Sequence, residues 1–300
     1  MEPMAEIKWN DRFNLDVAEI DKAHQKLFSI VIKLIAFTEN PEKQQHACKE
    51  GIKYFKSYTI KHFAEEEEYM KSIAYAGLPM HKSLHDNLRD KTLPALEAEL
   101  EDQNYSVEAV QHFIGICVGW LTGHIMVEDR AITGKNANKW VHKSSDDKMD
   151  SIIKAATQGL KTMSRAPVQL VSQHYGGEGF KVGKPLCYRL TYSHKSQQKQ
   201  QVYIVCEEAV AILTLNNILE MDIKRIDRTV IDAMKMLSIQ LVDYINKYFP
   251  VDVKYQLDKT DLLTFDQFAK IFYKQAPACS LLFNIDNRGY VAICSDFIQP

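Results

Sequence analysis

Apolar residues in the first half of the chain recur every three to four positions, the period that lines one face of a helix. Ala23, Leu27, Ile30, Val31, Leu34 and Ile35 make the first such stripe, with Asp21 at its start. Pro41 suits the first turn of a second helix, which runs through Phe55 and Tyr58 to about Ser72. The segment Tyr75 to Pro79 breaks it before a third helix, roughly Met80 to Leu100. A fourth starts near Ser106 and carries Phe113, Cys117, Trp120 and Leu121 to about Ile132. Long helices joined by short loops predict an antiparallel four-helix bundle. Ahead of them, Ile7 to Phe13 reads as an irregular arm over one end of that bundle.

Beyond Asp129 the pattern changes. Thr133 to Lys139 and Ser144 to Asp147 are polar and punctuated, which places a linker at residues 140–148 between a domain at 1–139 and another at 149–300. A helix at Met149 to Met163 leads through the glycines at 176, 177 and 179 to strand-like runs at Leu186 to Tyr192 and Gln201 to Cys206, with a polar turn at Lys195 to Lys199. Glu207 to Leu219 and Arg225 to Phe249 read as helices, and Val251 to Leu257 as a strand. Ser280 to Ile285 and Tyr290 to Cys294 make a hairpin across Asp286 to Gly289. The fold class is therefore multi-domain: an all-α antiparallel four-helix bundle followed by an α+β domain.

Composition narrows the function. The 300 residues suit two domains, and 46% hydrophobic with 25% charged residues is ordinary for a protein with sizeable cores. A net charge of −2 argues against nucleic-acid binding, which needs clustered cations. Membrane association is not expected, because no apolar run reaches a span, and the start lacks a basic-then-apolar leader, so the expected localisation is cytoplasmic. Six scattered cysteines with no Cys-x-x-Cys pair predict neither a disulfide framework nor a structural zinc site. Cys117, two helical turns before His124, is the one expected near any cavity the histidines form.

The candidate chemistry lies on the inward stripes. His62 and Glu66, and likewise His81 and His85, are four residues apart and so share a helix face. His24 falls on the first stripe and His124 on the fourth, with Asp129 after it. A single histidine on an apolar face is usually a satisfied core residue, and the run Glu65 to Glu68 alone would be a solvated face. Five of the ten histidines at ligand spacing on four stripes are another matter. Burying them unpaired is costly, whereas metal coordination satisfies imidazoles and carboxylates together, and so many ligands imply two divalent ions. His124 and Asp129 are five apart, about 140° on a regular helix, so either Asp129 reaches around or the helix contains a π-bulge.

Asp21-x-x-His24, His62-Phe63-Ala64-Glu65-Glu66-x-x-x-Met70, His81-x-x-x-His85 and Trp120-Leu121-x-x-His124-x-x-x-x-Asp129 resemble the signature of the hemerythrins, in particular their bacterial branch, over residues 5 to 135. The resemblance implies two iron ions joined by an oxo or hydroxo bridge, with O2 as ligand. His81, His85 and His124 would bind one iron and His24 and His62 the other, with Glu66 and Asp129 bridging. The two-histidine iron then keeps an open position. Phe28, Phe63, Leu121 and Ile125, near the ligands in sequence, are the expected walls of a dry oxygen pocket.

By its element order and Asp232-Ala233, the second half resembles the single-site chemotaxis phosphatases that act on response regulators. Their Glu-x-x-Asn signature is absent, and Met236 and Ile239 stand at those positions. Dephosphorylation by the usual mechanism is therefore not expected, no catalytic residue is assigned, and the domain is expected to bind a signalling protein such as a response regulator or to form a homodimer. The combined expectation is an oxygen or redox sensor rather than an enzyme. The alternatives are an oxygen or iron store and a di-iron peroxidase or nitric oxide reductase.

Overall fold

A computed structural model describes residues 13–38, 41–133, 148–177, 185–193, 199–246, 256–274 and 277–295. The chain divides into two compact units, one built on residues 1–139 and the other on most of 140–300. The proposed linker, apart from Lys148, and most of the amino-terminal arm lie outside the described residues.

The described elements of the first unit are all helices. Helix α1 spans Ala18–Thr38 and α2 spans Pro41–Ser72. The next rod is α3 (Leu78–Asn87), a π-helical turn (Leu88–Thr92) and α4 (Leu93–Asp102). The last is α5 (Val107–Gly123), a second π turn (His124–Asp129) and α6 (Arg130–Ile132). Helix α1 packs on α2 and α5, α2 on α3, and α4 on α5, which closes a four-rod ring. Gly51 permits the close approach of α2 to α1, since a Cβ there would stand 2.9 Å from Leu34 Cδ2.

Two boundaries differ from the sequence expectation. Helix α1 starts at Ala18, and Asp21 is not its cap: its Oδ1 accepts a hydrogen bond from the buried Leu15 N at 2.7 Å and pins the preceding segment. The third rod starts at Leu78, with Pro79 inside the first turn where a missing N–H costs nothing. It also accommodates Pro94, which has no N–H for the carbonyl four residues back and crowds it. The wide turn just before Pro94, where Leu93 N donates to Leu88 O, opens the ladder at that point.

The second unit is an antiparallel six-stranded sheet with helices. Its elements are α7 (Lys148–Ser164), β1 (Val168–Ser172), β2 (Leu186–Ser193), β3 (Lys199–Cys206), α8 (Glu208–Leu219), α9 (Arg228–Asn246), β4 (Gln256–Leu263), α10 (Phe265–Lys274), β5 (Cys279–Ile285) and β6 (Gly289–Ser295). The strand order is β1-β5-β6-β3-β2-β4. Side chains of α7, α8 and α9 meet Ile204, Cys206, Ile285 and Val291 on one face. On the other, Phe268 of α10 joins Tyr175, Cys187, Tyr203, Val205, Ala292 and Cys294 in a second core. The β5–β6 hairpin turns through Asp286 and Asn287, both left-handed at φ 51° and 53°, a conformation these short polar residues tolerate.

The fourth strand corrects the sequence reading. It runs from Gln256 to Leu263 rather than Val251 to Leu257, of which residues 251–255 lie outside the described set. Its charged residues hide an edge strand that pairs with β2 and is tied to it by Arg189, which donates to Asp261 Oδ2 at 2.6 Å. Strand β1 and helix α10 were not expected at all. Thr264 and Gln267 form a reciprocal capping box at the start of α10, with bonds of 2.9 and 3.2 Å, and that Thr-x-x-Gln signal is visible in the sequence. The expected turn at 195–199 and the glycine-rich stretch beyond Gly177 fall outside the described residues, apart from Lys199, which opens β3.

Candidate metal centre

Four rods each aim side chains inward at one level. His24 comes from α1, His62 and Glu66 from α2, His81 and His85 from α3, and His124 and Asp129 from the two ends of the second π turn. In that turn Arg130 N donates to Ile125 O, five residues back, and the widened turn brings both side chains into the cluster. A regular helix would point them apart. All seven residues are 0 to 3% exposed.

They form two groups. In the first, Nε2 of His81 and His85 stand 3.4 and 3.2 Å from Glu66 Oε2. His124 Nε2 lies 2.9 Å from His85 Nε2 and 3.0 Å from Asp129 Oδ1. In the second, donor atoms of His24, His62 and Glu66 lie within 4.8 Å of one another, and His24 Nε2 is 3.3 Å from Asp129 Oδ2. Asp129 thus turns one oxygen to each group, and Glu66 belongs to both. The arrangement suits two cations with shared carboxylates.

The donor chemistry fits such ions. Both nitrogens of His24, Nδ1 of His62 and Glu66 Oε1 are buried without a hydrogen bond. Leaving a buried carboxylate oxygen unpaired costs roughly 1 to 3 kcal/mol or more, which a cation would offset. All donors are imidazole or carboxylate, a set that accepts iron and several other divalent metals.

Electrostatics agree with a site that wants positive charge. Burial pushes His62 down to about 3 and lowers His85 as well, so their lone pairs are free of protons at neutral pH. Burial works against ionisation of Glu66, but hydrogen bonds from His124, His81 and His85 hold it well below the usual carboxylate range. His124 goes the other way. Burial opposes its charge, yet Asp129 and Glu66 outweigh that and raise it to about 10, so a proton occupies a place that suits a cation.

The expected pocket residues Phe28, Phe63, Leu121 and Ile125 are all buried. Phe63 stacks on His85 with centroids 3.8 Å apart and planes 4° from parallel, and Trp120 stacks on His124 at 4.2 Å. Sequence reasoning gave Trp120 no role beyond the motif, and it missed Glu67, whose Oε1 lies 3.2 Å from His85 Nδ1. Glu67 was hidden in the acidic run, where a position 100° around the helix from Glu66 reads as solvated. Cys117 is buried and its thiol is pushed up by that burial, which leaves it without reactive thiolate. No helix among the described residues is long and apolar enough to cross a membrane.

Residues 15–135 match the family described as hemerythrin HHE cation binding domain. A bacteriohemerythrin of Clostridium acetobutylicum is 32% identical over 126 residues, which cover 41% of this chain and 95% of that protein. A myohemerythrin of Theromyzon tessulatum is 28% identical, covering 43% of this chain and 92% of its own length. Among solved structures, a CheC-like superfamily protein from Shewanella aligns over 51% of this chain and 99% of its own, with 14% identity and a TM-score of 0.34. A chemotaxis protein CheX from Desulfovibrio desulfuricans aligns over 50% and 97%, with 13% identity and a TM-score of 0.36.

Proposed function

This chain belongs to the hemerythrin family, and on that premise we propose that it is an oxygen sensor in which a di-iron bundle reports to a catalytically silent signalling or dimerisation domain. The family's cofactor is a pair of iron ions and its ligand is O2, and the cluster of buried histidines and carboxylates fits that pair. The observation that carries the reading is the convergence of seven buried donors into two groups that share both carboxylates.

When bound, the iron pair supplies reversible affinity for dioxygen. His81, His85 and His124 would hold one ion and His24 and His62 the other, so the ion with two imidazoles has room for a ligand. Glu66 and Asp129, which belong to both groups, would hold both ions. Phe28, Phe63, Leu121 and Ile125 keep water from the cavity, and the stacked rings of Phe63 and Trp120 fix the planes of His85 and His124.

The second half acts as a reader rather than a hydrolase. In support, α9 presents Met236 and Ile239 where the chemotaxis phosphatases it resembles in element order carry Glu and Asn, and neither side chain can orient a water. Its partner is a response regulator, another signalling protein or a second copy of this chain. A coupling of about 1 to 3 kcal/mol between the oxygen site and that surface would make the signal. Six free thiols suit the reducing cytoplasm.

The test is an anaerobic, iron-loaded sample followed by visible absorption as air is admitted and then removed. A band that appears and reverses, and that is lost in His62→Ala, supports oxygen sensing. Oxidation that never reverses moves the di-iron enzyme ahead. Reversible binding with unchanged domain arrangement by small-angle scattering favours a store.

A further inference from the structure

A continuous line of polar side chains leads outward from one ligand of the candidate centre. His85 Nδ1 stands 3.2 Å from Glu67 Oε1, and Glu67 Oε2 is 3.4 Å from Lys82 Nζ. Lys82 donates to Asp86 Oδ1 at 2.7 Å, and Asp86 also accepts from Arg89 at 2.7 Å. The line begins in the core, where Glu67 is 8% exposed. It ends at the surface, where the Lys82 and Asp86 side chains are 43% and 38% exposed. Among the described residues, Nδ1 of His24, His62 and His81 makes no hydrogen bond, so no such line leaves those three imidazoles.

We propose that Glu67 is a positioning residue of the metal centre, and that Lys82 sets how much negative charge Glu67 delivers to it. The inference rests on the di-iron reading. With its Nδ1 proton donated to the Glu67 carboxylate, His85 is held with Nε2 toward the ions, and it becomes a more basic ligand. A more basic ligand favours the more positive, oxidised state of the pair. Lys82 draws on the same carboxylate and opposes that effect. The charge of the centre is thereby tied to the Lys82–Asp86 ion pair on α3, which solvent, salt or a docking anion can reach.

A merely structural role for these residues would not give shifts of opposite sign. In the iron-loaded full chain, a mediated redox titration should find that Glu67→Gln raises the reduction potential and Lys82→Gln lowers it. The double variant should match Glu67→Gln alone, because Lys82 acts through Glu67. Shifts of the same sign, no shift, or a Lys82 effect that persists without the Glu67 charge would overturn the proposal. Zinc alone is the second probe, and it separates this inference from the oxygen reading. Glu67→Ala should weaken zinc binding roughly 10- to 100-fold whether or not the iron form binds oxygen. Unchanged zinc affinity would also overturn it, whereas an iron-loaded wild type that ignores oxygen would sink the sensor and leave the zinc comparison standing.

Discussion

The two units bury different kinds of side chain to the same depth. At the centre of the bundle, His24, Glu66, His85 and Asp129 are fully enclosed beside His62, His81 and His124. At the centre of the sheet unit, the fully enclosed residues include Val205, Phe268, Leu281, Phe283, Ile285 and Ala292. An apolar core is complete as it stands, because removing its surface from water is itself the driving force. A core of imidazoles and carboxylates is completed by what it binds, since its polar atoms lost water and found few protein partners. The bundle's stability should therefore be conditional, and the sheet unit's should not.

Removing the metal tests that contrast with the largest effect. A ligand that binds only the folded state stabilises it in proportion to the logarithm of its excess over Kd, about 5 kcal/mol at ten-thousandfold. Thermal unfolding of the iron-loaded chain should show two transitions, and a chelator should lower only the one that reports the bundle. A drop in both, or in neither, would break the contrast.

The matching lesion in the other unit is Phe268→Ala. This ring is enclosed by Tyr175, Tyr203, Phe265 and Phe272, with centroids 5.5 to 6.4 Å away. Truncating it leaves a cavity worth about 4 kcal/mol, which should appear only in the second transition while the iron content stays at the wild-type value.

The contrast also explains what could be read from sequence. The bundle was legible because one face of each helix must carry both the apolar stripe and the ligands, and period-four pairs such as His62 with Glu66 reveal that face. Spacing also flagged the π turn, since His124 and Asp129 five apart cannot share a regular helix face. The turn before Pro94 was not flagged, because the apolar pattern carries on through the proline and no pair of ligands there has a spacing that marks it. In the sheet unit the inner strands were legible from dense apolar runs, as in Leu186 to Tyr192. Strand β4 was not, because an edge strand needs only one paired side and tolerates Asp258, Lys259 and Asp261. Glu67 escaped for a related reason: what makes it functional is a partner on another helix, His85, and no local pattern records that.

A smaller prediction concerns Asp21. Its carboxylate satisfies the buried Leu15 N–H from six residues away, and Asp21→Ala leaves that donor unpaired at a cost of about 2 kcal/mol. Although Asp21 lies only three residues from His24, the lost bond does not involve the site, so the bundle transition should fall in both the metal-loaded and the chelated protein, by similar amounts. A loss seen only with metal would mean that Asp21 serves the site rather than the fold.

The finest comparison uses one helix cap from each unit. Ser106 Oγ accepts from Ala109 N at 3.2 Å at the start of α5, and Thr264 Oγ1 accepts from Gln267 N at 3.2 Å at the start of α10. Each replacement by Ala should cost about 1 kcal/mol, since both remove one acceptor from an N-terminal turn. Ser106→Ala should shift only the chelator-sensitive transition and Thr264→Ala only the other. Thr264 should cost slightly more, because Gln267 returns a bond to Thr264 N that depends on the same turn. If either variant moved both transitions, the units would be unfolding as one, and the conditional stability of the metal core would extend to the whole chain.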